Sequence, residues 1–393
     1  MTVRTIPSST APPLRMVWVA LLIALLVVLL AASAIIVGSQ VSNRSDVPNA
    51  LLAVAMPPTA CPAGTVLHSG DIATIAGTGV AGNSGVGGPA TAAQLLTFDG
   101  GSMAADAEGA VYFSQDGVAI RRIGTDGVIT TIAGARSTPP MFQPTGVGSD
   151  AAGDIYIADQ GWIWKRDPQG NVTPVAGNSV SGVGGDGGPA LQAQINAYGV
   201  IVAPNGDLII DDYMDAGVRR SIDPAGTIRR FAGSGSAGSP LGDGGPATAA
   251  GFGFTAYASA AGPDGSVYVG DREHFRIRKV DPSGIITTYV GTGQYGNSGD
   301  GGPATEATIA APVSMVVDDS GNLYFADKLA NVIRKVSTAG LITTIAGTAK
   351  NGFAGDCGPA TAAQLNEPNL LAIHDGILYV GDFGNHRIRM IVP

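Results

Sequence analysis

The chain is poor in the residues from which most catalytic and metal sites are made. Its 393 residues include two cysteines, Cys61 and Cys357, and four histidines, His68, His274, His374 and His386. Two cysteines support neither a disulfide framework nor a cysteine-only metal site. Aromatic side chains make up 6%, so any core must be built mainly from Val, Ile, Leu and Ala. No apolar pattern of helical period survives past residue 50, which excludes helical solenoids. Walker loops, Gly-x-Ser-x-Gly elbows and His-Glu-x-x-His pairs are absent. Positive charge is scarce too. Beyond residue 50 there are 19 basic and 30 acidic side chains, a formal charge of −11, and a net acidic domain is a poor partner for nucleic acid.

One long hydrophobic run is present, over residues 16–37, with 22 residues and no charge. As a helix it would be roughly 33 Å long, enough for the hydrocarbon core of a bilayer. Arg4 and Arg15 precede it, so the positive-inside tendency keeps residues 1–15 cytoplasmic and puts the rest outside. The reading is a single-pass signal anchor in the cell membrane. Its rival is a cleaved signal peptide with Ala32-Ser33-Ala34 as the cleavage pattern and a secreted product, although the apolar region is long for that role. Residues 38–69, rich in Ser, Pro, Ala and Asn, read as an extracytoplasmic tether ahead of a folded domain over 70–393.

Glycine is abundant, with 58 residues, and it falls in a repeat. Gly77, Gly134, Gly177, Gly233, Gly291 and Gly347 close versions of the phrase Ile-Thr-Thr-Ile-Ala-Gly, in steps of 57, 43, 56, 58 and 56 residues. The phrase Gly-Gly-Pro-Ala-Thr recurs with drift at Pro89, Pro189, Pro246, Pro303 and Pro359. Within the unit from Gly291 to Gly347, four short apolar runs alternate with Gly/Asp/Asn/Ser turns. Four antiparallel strands per repeat make a propeller blade. Pro-Ala-Thr should start one helical turn, since proline at a first helical position has no N–H to lose. The last unit stops at Pro393 without its fourth strand, and residues 71–77 carry that strand with no blade in front of it. An all-β, six-bladed β-propeller is therefore expected, its sixth blade made from residues near 370–393 plus 71–77. Such a closure removes two exposed sheet edges.

The residues Asp382-Phe383-Gly384-Asn385-His386-Arg387-Ile388 resemble the Asn-His-Leu signature of the NHL repeat, with looser copies at 271–280 and 327–336. Blades one to three depart from it, with Ser114-Gln115-Asp116, Asp159-Gln160-Gly161 and Asp212-Tyr213-Met214 at that place. The resemblance covers roughly 70–393. It implies a six-bladed propeller of a type found in extracellular sensors of bacterial membrane kinases, in protein- or RNA-binding modules and in an amidating lyase. Similar propellers include calcium-dependent lactonases. Fold follows from such a likeness and function does not.

Among metals, zinc would need three converging His or carboxylate ligands, and His274, His374 and His386 occupy non-equivalent positions. Calcium takes oxygen ligands alone and stays possible; no cofactor is otherwise expected. Asp186, Asp243, Asp300 and Asp356 share one loop position, and Asp159, Asp212, Asp271, Asp327 and Asp382 share another. Their recurrence in nearly every blade favours backbone satisfaction in turns over a single ion site. Arg276/Arg278, Arg334/Lys335 and Arg387/Arg389, on third strands, read as aliphatic stems laid over blade surface.

Departures from the repeat are the better guide to specificity. Blade two has lost its Asp-Gly-Gly-Pro-Ala-Thr insertion and carries Trp162-Ile163-Trp164. Residues i and i+2 share a strand face, so Trp162 and Trp164 either line a groove for a glycan or peptide or pack against a neighbouring blade. Cys61 and Cys357 are a possible disulfide stapling the closure in an oxidising exterior. The expected function is non-catalytic recognition of a protein or glycan partner by a membrane-anchored propeller. The alternative is a calcium-dependent hydrolase, lactonase or lyase at the channel mouth.

Overall fold

The computed structural model describes residues 58–393 apart from 97–99, 213–216, 237–240 and 254–257. The anchor read at 16–37, the tail 1–15 and the first part of the tether lie outside the described residues, as do Tyr213 and Met214. Among the described residues no helix is long and apolar enough to cross a membrane.

Six antiparallel sheets make up the domain, five of four strands and one of five. Blade 5 shows how the sequence forms one. Its strands are Pro312–Val317 on the inside, then Leu323–Asp327, Val332–Val336 and, outermost, Ile342–Ala346. The middle strands are buried on both faces because a blade packs between two others, so Leu323, Phe325 and Ala326 are all inaccessible. The outer strand alternates, with Ile342 buried and Thr343 exposed. Turns are closed by aspartate: Asp318 Oδ1 accepts the N–H groups of Ser320 and Asn322 at 3.0 and 2.8 Å. Hydrophobic clusters bridge neighbouring blades, as where Ile277 of blade 4 meets Phe325 and Leu323 of blade 5.

Blade 6 is assembled from both ends of the domain. The strand Asp71–Ala76 pairs antiparallel with Arg387–Ile391, Ile72 facing Ile391 and Thr74 facing Arg389. The closure expected from the truncated last repeat is thus present. Residues 58–69, the end of the stretch read as tether, are attached to the disc. Ala60 N–H donates to the Thr74 carbonyl at 2.8 Å, Leu67 is buried, and Cys61 is disulfide-bonded to Cys357 with a Cα separation of 5.8 Å.

The loops leading into five of the blades descend along the outer strand of the blade they enter. Pro89, Pro189, Pro246 and Pro303 bridge to Val128, Thr227, Ile285 and Leu341, and Pro359 pairs with Asp71. Each proline is followed by a single 3-10 turn whose first alanine is buried, such as Ala304–Glu306. This covers the free edge of the sheet. Blade 2 has no such loop. Its outer strand Val172–Gly177 instead carries Pro174, opposite Trp164, and a proline on an edge withholds a ladder donor.

Candidate binding site at the channel wall

Most of the repeated charges belong to the scaffold. Asp327, at the end of the second strand of blade 5, accepts the N–H groups of Ala310 and Ala311 at 3.0 and 2.7 Å. Arg334, on the third strand, is fully buried and donates to Asp300 Oδ1 at 2.7 Å and to the carbonyls of Thr308 and Ser298 at 3.0 and 2.9 Å. Asp300 Oδ2 accepts the Thr344 N–H at 3.0 Å. One guanidinium therefore ties the descending loop to the blade. The same arrangement is built by Arg220 with Asp186 and Asp212, Arg278 with Asp243 and Asp271, and Arg389 with Asp356 and Asp382.

The expectation that these third-strand cations lie along blade surface is corrected for Arg278, Arg334 and Arg389. The loop folds down over the outer strand and brings a carboxylate over each guanidinium, with two carbonyls at Arg334 and Arg389 and one at Arg278, which makes burial tolerable. Arg276, Lys335 and Arg387 remain partly exposed. Burial pushes the carboxyls of Asp327 and Asp382 up to about 6. Asp300 is also raised by burial, but hydrogen bonds from Arg334 and Thr344 more than offset this and hold it below the usual range.

The signature of blade 6 is a turn of the same scaffold. Asn385 donates to Asp382 Oδ2 at 2.8 Å and to the Gly352 carbonyl at 2.7 Å, and His386 adopts the left-handed conformation. Arg387 donates to the Thr78 carbonyl at 2.9 Å, across the closure, with its guanidinium 3.9 Å from the Phe353 ring centroid. His274, at the Asn385 position of blade 4, bonds Asp271 through Nδ1 at 2.8 Å. His374 ends the inner strand of blade 6, beside Asp375. The three histidines thus serve separate turns. Among the described residues no group of three His, Cys, Asp or Glu side chains has the geometry to hold a metal ion.

In blade 2, Trp164 takes the place of the buried arginine. Its ring packs against the cluster of Met141, Val147 and Val172, and its centroid lies 5.3 Å from that of Trp162 at an angle of 34°. Both indoles are partly buried, and Phe142 in the shortened loop is 77% exposed.

The central channel encloses a cavity of about 250 Å³ lined by the inner strands. Its wall is mostly Gly, Ala, Val and Met, with Ser102, Ser149, Ser259 and Ser314, the phenol of Tyr198 and one carboxylate, Asp211. Asp211 comes from the second strand of blade 3 and is paired with Arg219 across the ladder. Arg219 Nε donates to Asp211 Oδ1 at 3.0 Å, and the Ser259 hydroxyl of blade 4 donates to the same oxygen at 2.6 Å. Nη1 of Arg219 donates to the Gly217 carbonyl at 2.6 Å, and the guanidinium lies 5.2 Å from the Phe252 ring centroid. Burial raises the Asp211 carboxyl, with Arg219 and Ser259 opposing it.

All three residues break the repeat. Ser114, Ala158, Gly270, Ala326 and Gly381 occupy the Asp211 position, and Ile120, Ile163, Ile277, Ile333 and Ile388 the Arg219 position. Met103, Val147, Val200, Met315 and Leu371 occupy the Ser259 position. Sequence reasoning passed over this trio and dwelt on blade 2. A signal existed in the doublets Asp211-Asp212 and Arg219-Arg220, where the other copies carry at most one charge at the paired positions.

Fold and repeat together define a six-bladed propeller of the NHL type. Residues 291–352 match the family described as Teneurin NHL domain. Human teneurin-4 is 42% identical over 102 residues, 22% of this chain and 4% of that protein. Mouse teneurin-3 is 26% identical over 341 residues, 74% of this chain and 12% of that protein. The chain thus spans a small fraction of these relatives. Among solved structures, an auxiliary nutrient binding protein from Bacteroides ovatus superposes with a TM-score of 0.59 at 18% identity, covering 82% of this chain and 76% of that one. At that identity the likeness establishes the fold. The chain folds as a six-bladed propeller, and its repeat is similar to the NHL repeat over the matched residues.

Proposed function

We propose that the protein is a non-catalytic binding or sensor propeller, anchored in the cell membrane by residues 16–37, which recognises a protein or glycan partner outside the cell. The observation that carries this reading is where exposed apolar side chains stand. Val80, Phe142, Val180, Tyr295 and Phe353 lie in loops leading into blades, and Val118 and Leu329 in the turns that open on the same side. Phe142 is 77% and Tyr295 61% exposed. Scattered exposed apolar residues need no explanation, but a bias toward one set of connections marks a recognition face. The buried Arg220, Arg278, Arg334 and Arg389 are committed to holding the loops. The solved nutrient-binding propeller and the teneurin likeness support a binding role without naming the partner.

The test uses the full chain in detergent micelles, screened on a glycan array and against secreted and surface proteins of the same cells. Saturable binding that is lost in a Phe142→Ser, Tyr295→Ser, Phe353→Ser variant of unchanged melting temperature supports the reading. Stoichiometric tightly bound calcium together with lactone hydrolysis would overturn it in favour of the calcium-dependent enzyme.

A further inference from the structure

We infer that the channel at the seam of blades 3 and 4 is a binding site for a small neutral hydroxylated solute, of monosaccharide size or below, and that Asp211 and Ser259 contact it while Arg219 positions Asp211. The cavity supplies the space, about 250 Å³, and the trio supplies a chemistry that the other seams lack. Both hydrogen bonds to Asp211, from Arg219 and from Ser259, end on Oδ1. Among the described residues no hydrogen bond ends on Oδ2, and this largely buried side chain lines the cavity. Oδ2 is thus an acceptor left open to a donor from the channel, where a bound hydroxyl can complete its hydrogen bonding. Gly199 gives it room: a Cβ there would stand 2.6 Å from Oδ2.

Joining the blades does not require this arrangement. At the seam of blades 1 and 2, Ser102 donates to the Val147 carbonyl at 3.2 Å, and at that of blades 5 and 6 Ser314 accepts the Leu371 N–H at 2.9 Å. A neutral serine and a backbone group suffice in both places. The buried arginines that fasten the descending loops pair with Asp186, Asp243, Asp300 and Asp356, whereas the carboxylate of this pair stands at the channel wall, so three matched departures at one seam point to a task beyond cohesion. The class of ligand follows from the charge balance. Asp211 is neutralised by Arg219, so a cation or anion entering the apolar channel would be left without a counter-charge. Hydroxyl groups donate to Oδ2 without that cost, and the apolar wall of Ala104, Val200 and Met315 suits the C–H face of a small sugar.

This inference goes beyond the surface-partner reading, and its test separates the two. The full chain is titrated with D-glucose, glycerol and methylammonium up to about 100 mM, followed by calorimetry and ligand-detected NMR, where millimolar affinity is still measurable. Saturable one-to-one binding of glucose or glycerol, and none of methylammonium, is expected. Asp211→Asn should weaken it about ten- to a hundredfold. The triple change Asp211→Ala, Arg219→Ile, Ser259→Val gives blade 3 and its seam the side chains of the other blades. It should abolish solute binding with the melting temperature equal or higher and surface-partner binding intact. Absence of binding by both neutral probes, preference for methylammonium, or binding unchanged in Asp211→Asn overturns the inference. Should the triple variant fail to fold, Ser259→Ala takes its place, and unchanged binding there has the same meaning.

Discussion

Blades 5 and 2 contain the same four strands and keep their outer edges in different ways. In blade 5 the descending loop covers the outer strand, and Arg334 fastens it through Asp300 and two carbonyls. In blade 2 the loop is missing, an indole fills the arginine's place, and Pro174 interrupts the uncovered strand. Between these two blades the loop, the buried cation and its aspartate are kept or lost together. Blade 1 is intermediate. It keeps the loop but has Val86 in place of the aspartate, and Arg121 turns to Gln115 Oε1 at 3.2 Å instead.

The comparison can be broken in several places. The largest effect should come from removing residues 70–77, which takes the outer strand from blade 6 with the fully buried Ile72 and Ile75. At about 1.5–3 kcal/mol for each large apolar side chain, the melting temperature should fall by roughly 10 °C or more. An unchanged melt would show that the ring does not depend on this strand. Next is Arg334→Ala, which leaves Asp300 and Asp327 without their cation; about 3–5 kcal/mol should be lost in urea unfolding. Trp164→Ala in blade 2 should cost about 2 kcal/mol, below the range for a wholly buried indole. Equal losses would mean that the loop-fastening role of arginine has been overrated.

A smaller effect is expected from pH. Asp327 and Asp382 are raised to about 6 in the fold, above the ordinary value of 3.8. The folded state therefore binds more protons than the unfolded one between these values. Their contribution to stability grows as pH falls from 7 toward 4 and is lost as pH rises through 6. Asp300 has the opposite sign, since its carboxyl is lowered, and its contribution is present above the ordinary value and lost in stronger acid. Melting curves between pH 7 and 4.5 should show a gain that Asp327→Asn reduces; a monotonic loss would contradict the buried setting of both groups. Smallest in stability is Pro174→Val, within about 0.5 kcal/mol for a surface change. It should nevertheless let the uncovered edge pair between molecules, seen as concentration-dependent association in sedimentation.

How much of this could be read beforehand depended on whether the information was local. The glycine phrase and the truncated last repeat disclosed the blade, the count of six and the closing strand, because turns and strand lengths are set by neighbouring residues. The burial of Arg278, Arg334 and Arg389 was not legible. It depends on a loop that starts more than thirty residues earlier in the chain and folds back, as with Arg334 and Asp300, and no local pattern announces that. Asp211, Arg219 and Ser259 lie on two blades, and their meaning appears only once ladder registers align the copies. Trp162 and Trp164 stood out for their rarity, and the structure places them side by side.

The joint between Cys61 and Cys357 has a mechanical consequence. A pull on the chain ahead of residue 58 reaches this covalent link before it reaches the strand Asp71–Ala76, and the link delivers the load to the loop that enters blade 6. Hydrogen bonds of the closing strand are thereby shielded from being peeled apart one at a time. Tension applied at residue 58 would pass into the body of the ring without opening it, and reducing the bond would convert a clasp into a zip.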